Sequence, residues 1–94
     1  MLKQLKIRKQ IELKRHELET LRAKQTDFDT RSAELTETLK ETETEEDMKL
    51  VNESIDTLEK EVEEANIEEK TTNIEKEIED LEAELSDISE RSIN

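Results

Sequence analysis

One histidine and three clusters of acids are the first residues to weigh for chemistry in this sequence. An imidazole can move protons near neutral pH. His16, however, occupies a heptad slot facing away from the apolar stripe of its own segment, with no fixed neighbour and no cleft. The acid clusters "ETETEED" (41–47), "EVEE" (61–64) and "EIEDLEAE" (77–84) could offer oxygen ligands to a hard cation. They lack EF-hand spacing and a turn glycine, so they read as solvated helical faces. There is no cysteine, and no phosphate-cradling loop, nucleophile elbow or zinc spacing occurs. The expectation is a protein that is not an enzyme, with no catalytic, metal or cofactor-binding residues and no cofactor.

The basic head, "KQLKIRKQIELKRHE" (Lys3–Glu17), is the remaining candidate. A basic amphipathic helix can bind nucleic acid or an anionic membrane. The formal net charge of −13 opposes attraction to nucleic acid, and Phe28, the single aromatic residue, cannot build a base-stacking platform. Apolar runs never exceed two residues, as in Leu50-Val51, far short of a membrane span or signal-peptide core. No nucleic-acid and no membrane partner is expected, and the chain reads as soluble and cytoplasmic. Residues 1–24 carry eight Lys/Arg against three acids, a net of +5, while residues 25–94 carry seven against 25, a net of −18. A basic head on an acidic body calls for a structural reason.

The elements that must carry these charges are helices. The 94 residues are 46% charged and 30% hydrophobic, which excludes a thick globular core. Gly and Pro are absent while Glu, Lys and Leu dominate, the profile of long helices and coiled coils. In the first arm Ile7, Ile11, Leu18, Leu21, Phe28, Leu35 and Leu39 fit one heptad frame, with Lys14, Gln25 and Ser32 filling the other seam slots. In the second arm Met48, Val51, Ile55, Leu58, Val62 and Ala65 alternate three and four. After the polar stretch "EEKTTN" the pattern resumes at Ile74, Ile78, Leu81, Leu85 and Ile88.

Continued past Leu39, the first seam would place Thr42, Glu46 and Lys49 in a row, all polar. One straight helix therefore loses its seam, and an isolated charged helix would need none. Thr44 followed by Asp47 resembles a capping box, with acids in the first turn where the helix dipole favours them. Glu45–Lys49 and Asp56–Lys60 add i,i+4 support.

The chain is thus expected to be all-α, an antiparallel two-helix coiled-coil hairpin forming one domain over residues 1–94. Arm one covers about 2–41, the corner about 42–44 and arm two about 45–90, with an irregularity at 68–73. Folding about residue 43 sets Leu39 against Met48, Leu35 against Val51, Phe28 against Leu58 and Leu21 against Ala65. Further along, Ile11 meets Ile74 and Ile7 meets Ile78, with Lys14 opposite Thr71 and Thr72. The basic head then lies against residues 73–94, which carry two basic and eight acidic residues. A parallel dimer would instead stack acid on acid. Leu2, Leu5, Leu13, Leu50 and Ile67 lie off or at the edge of the seam and could face another copy, so self-association is expected.

Four segments together resemble a known family. They are "MLKQLKIRKQIELKRHELETLRAK", "RSAELTETL", "TEEDMKLVNESIDTLEKEVEE" and "IEKEIEDLEAELSDI". They resemble the N-terminal delta domain of tailed-phage major capsid proteins with the Hong Kong 97 fold, over nearly the whole chain. The resemblance implies a helical scaffold inside the immature phage capsid in the host cytoplasm, partnered by capsid protein subunits and by copies of itself. It implies removal by a phage maturation protease and no catalytic residues. The shell-forming fold is not in this sequence, so the chain would be the assembly domain alone, ending in "SDISERSIN" where the family has a linker. The alternative expectation is a generic coiled-coil spacer or dimerisation module of a larger intracellular protein.

Overall fold

The computed structural model describes the backbone of residues 1–93 and the side chains of residues 1–88. The protein is an all-α helical hairpin of α1 (Leu2–Glu41), α2 (Glu45–Ala65) and α3 (Ile67–Ile93), with no strand among the described residues. Without Gly or Pro, nothing in the sequence breaks α1 over its 40 residues. Threonines inside the helices do not compete with the backbone. The hydroxyls of Thr20, Thr26, Thr36, Thr38 and Thr57 each donate to the carbonyl four residues earlier.

Local hydrogen bonds make the corner. Thr42 N–H donates to the Leu39 carbonyl at 3.3 Å, tightening the last turn of α1, and its hydroxyl donates to Thr38 O at 2.8 Å. Thr44 is the N-cap of α2: its backbone is extended and its Oγ1 accepts the Asp47 N–H at 3.1 Å. Such a cap contributes about 1 kcal/mol. Glu45, Glu46 and Asp47 fill the first turn of α2, where the dipole favours negative charge.

The second interruption falls at Asn66, the one residue with positive φ (φ 45°, ψ 49°) among those described. Asn tolerates the left-handed region better than most residues. Its N–H donates to the Val62 carbonyl at 3.2 Å, closing the end of α2. The irregularity expected at 68–73 is therefore displaced, since those residues are helical within α3. Polar composition alone does not break a helix whose residues all have adequate propensity. What breaks here is the phase of the apolar frame. Running on from Val62 and Ala65, a three-four alternation would reach Glu69 and Thr72. The apolar residues instead follow Ile67, Ile74, Ile78, Leu81, Leu85 and Ile88, with Thr71 half-buried in the slot between the first two. One left-handed residue absorbs the jump.

The chain forms two compact units. One comprises residues 22–67. Phe28, Leu58 and Ala65 are buried together, with Leu35 and Ile67 packed against them, and Val51 is buried nearer the corner. Ile67, expected off or at the edge of the seam, is thus half-buried against this cluster. The other unit joins residues 1–21 to α3 from Glu68 onward. Its core is Ile7, Ile11, Leu18 and Ile78, with Ile74, Leu81, Leu85 and Ile88 packed around them. No side chain in either core is sealed completely from solvent, as expected where only two helices meet. Burying each of the larger side chains among the buried ones (Ile7, Ile11, Leu18, Phe28, Val51, Leu58 and Ile78) contributes roughly 1.5–3 kcal/mol before ordering entropy is subtracted.

Candidate functional site

The described residues bring together a packed seam in each unit and, flanking it, charged and apolar surfaces. Of the eighteen seam positions, Ile7, Ile11, Leu18, Phe28, Val51, Leu58, Ala65 and Ile78 are buried. Leu21, Leu35, Leu39, Ile55, Ile74, Leu81, Leu85 and Ile88 are half-buried. Met48 and Val62 depart from the expectation, being 47% and 41% exposed. The mirror register sets Val62 against Gln25, whose side-chain amide donates instead to Asp29 on its own helix at 2.9 Å. Gln25 is itself exposed, so it offers Val62 no cover.

Charges line both seams. In the unit built on residues 1–21 and α3, Lys14 Nζ lies 2.7 Å from Glu77 Oε2 and 3.7 Å from Glu17 Oε2, and Arg15 Nη2 lies 2.7 Å from Glu82 Oε1. Lys14, expected opposite Thr71 and Thr72, sends its ammonium to Glu77 instead, because an ammonium gains more from a carboxylate than from two hydroxyls. The hydrogen bond to Glu77, aided by the charges of Glu17 and Glu77, raises the Lys14 pKa above its ordinary 10.5 against an opposing desolvation. In the other unit Arg31 pairs with Glu61 and lies 5.9 Å from the Phe28 ring centroid, a cation–π distance. The expected pairs Glu45–Lys49 and Asp56–Lys60 do not form. Exposed pairs of this kind gain too little to hold two long side chains in place.

His16 is exposed, its Nδ1 4.0 Å from Glu19 Oε2 one turn along. It lines an open groove together with Arg8, Ile11, Glu12, Leu13, Arg15, Glu19, Glu82 and Leu85. No group of three or more His, Cys, Asp or Glu side chains among the described residues could hold a metal ion. Among the same residues, no helix is long and apolar enough to cross a membrane.

The exposed apolar residues are the features that packing within the hairpin leaves unused. Leu2, Leu5 and Leu13 are 83%, 62% and 54% exposed. Eleven residues separate Leu2 from Leu13, about three helical turns, so they lie on one line. That line falls on the side of α1 opposite Ile7, Ile11 and Leu18. Leu50 is 59% exposed and shares an open groove with Arg31, Glu34, Leu35, Thr38, Glu53, Ser54 and Thr57. Spacing alone marks Leu2, Leu5, Leu13 and Leu50 as off-seam. Asn66 and the Arg31–Phe28–Glu61 arrangement escape it, because one depends on backbone conformation and the other on side-chain reach.

No family model matches the chain, and neither curated proteins nor solved structures gave a match.

Proposed function

We propose that this chain is a non-enzymatic assembly domain, the built-in scaffold of a phage major capsid protein precursor. It would act inside the immature shell and be removed by a maturation protease. The observation that carries an assembly role is the apolar line Leu2–Leu5–Leu13, turned away from the helix's own packed face. A helix apolar on two sides has a second partner to cover. The capsid assignment rests on the resemblance of the four sequence segments to delta domains.

The physics suits a temporary role. Small cores and a net charge of −13 per copy give weak, reversible contacts, which let misplaced subunits dissociate and rejoin. Many copies inside a closed shell would concentrate negative charge where DNA must enter, so removing them first favours packaging. The same seams would also serve a spacer or dimerisation module in a larger protein, and one experiment separates the two. A capsid precursor beginning with these residues, with 1–94 deleted, is expressed and its particles are imaged by electron microscopy. Few or aberrant shells are expected. Normal shells in normal yield, with no separate scaffold present, would leave the spacer role.

A further inference from the structure

Two exposed apolar patches on this chain carry opposite charge. The first is the Leu2–Leu5–Leu13 line of α1. Residues 1–13 along it hold Lys3, Lys6, Arg8 and Lys9 against one acid, Glu12, which lies 3.4 Å from the Lys9 ammonium. Lys6 sits on the same face as Leu2 and Leu13, and neither Lys3, Lys6 nor Arg8 has an ion-pair partner among the described residues. The second patch is the groove in the unit of residues 22–67, lined by Leu35 and Leu50, by Glu34 and Glu53, and by Arg31, whose guanidinium is paired with Glu61. The carboxylates of Glu34 and Glu53 likewise have no cationic partner among the described residues. That unit carries six Lys/Arg against fifteen Asp/Glu, a net of −9.

We propose that the groove of one copy receives the basic apolar line of a second copy, Leu5 and Leu13 covering Leu50 while Lys6 approaches Glu34 or Glu53. Two like patches are poor partners. Head against head would set the unpaired cations Lys3, Lys6 and Arg8 against the same three of the other copy, and groove against groove would face Glu34 and Glu53 with their like. Charge complementarity selects the mixed pairing, since like-charge contacts across an interface are penalised. Because the two patches differ, the contact is heterologous. It either closes into a ring or continues as an open chain, each copy giving one head and one groove. This inference concerns the 94-residue chain alone and does not depend on the capsid role.

The test is sedimentation equilibrium on the full chain and on four variants: Leu5→Asp with Leu13→Asp, Leu50→Lys, Lys6→Glu, and Lys6→Glu with Glu53→Lys. Circular dichroism of each checks that the exposed substitutions leave the helices intact. The first two variants should each self-associate at least about tenfold more weakly, the loss expected for anchors at an interface. An equimolar mixture of these two should form heterodimers and stop there, since only one head and one groove remain intact. Lys6→Glu alone should weaken association, and adding Glu53→Lys should restore it. The proposal is overturned if the unaltered chain stays monomeric to millimolar concentration, or if Leu50→Lys associates as well as the unaltered chain, the mark of a head-to-head contact. It is also overturned if the mixture forms no heterodimer.

Discussion

Ala65 and Ile67 pack into the same apolar cluster although a single residue separates them. In a continuous α-helix, positions two apart point about 200° away from each other. Asn66, held in the left-handed region, turns the backbone so that both side chains reach Phe28 and Leu58. Asn66→Ala removes the short polar side chain whose local hydrogen bonding eases a conformation that costs an ordinary L-residue about 1–2 kcal/mol, and Asn66→Gly removes the Cβ that causes the cost. Chemical denaturation should therefore rank Asn66→Gly above Asn66→Ala, and Asn66→Ala above the β-branched Asn66→Val. An Ala variant more stable than the Gly variant would mean that α2 and α3 prefer to run on as one helix.

Phe28 is the largest buried side chain, 5% exposed, and it carries both the Leu58 contact and the Arg31 guanidinium. Phe28→Ala should cost about 3 kcal/mol, the low end for this truncation because the surrounding core is small. His16→Ala, on an exposed face, should change stability by less than about 0.5 kcal/mol. Urea denaturation followed by far-UV circular dichroism measures both. Equal losses would show that the seam is drawn on the wrong face of α1.

The helices and their corner were legible in the sequence for a physical reason. A strict three-four alternation, the absence of Gly and Pro and a Thr-x-x-Asp cap all act locally, so they survive without knowledge of the tertiary structure. The break at Asn66 was less legible. Its signal was the two-residue step from Ala65 to Ile67, which is visible only if Ile67 counts as a seam residue. Grouping Ile67 with the off-seam residues hid that step and moved the irregularity into the polar stretch that follows. Lys14 was misplaced for a different cause. Heptad spacing locates a Cα, but a lysine's ammonium reaches a carboxylate more than a turn away from the facing position.

Lys14 adds a small contribution to stability that is lost at alkaline pH. Its pKa is raised in the folded state, first by the hydrogen bond to Glu77 and then by the nearby carboxylates, with desolvation opposing. A raised folded pKa stabilises the fold fully below the ordinary value of 10.5, and the contribution vanishes as pH climbs through the folded value. Comparing denaturation midpoints of the unaltered chain and Lys14→Met across this range isolates the effect, because the other lysines titrate in both. The difference should be constant from neutral pH to about 10 and close above it. A difference that already closes near neutral pH would mean that the Lys14–Glu77 pair contributes nothing to the folded state.

Every surface described here depends on the chain folding back so that Phe28 meets Leu58. The most direct measurement is a disulfide between these positions, in the double variant Phe28→Cys with Leu58→Cys, oxidised at high dilution. The sequence has no native cysteine to compete. Mass spectrometry after proteolysis should find the two cysteines joined within one chain, and non-reducing electrophoresis should show a monomer. Cross-linked dimers alone, or two free thiols under oxidising conditions, would contradict the hairpin.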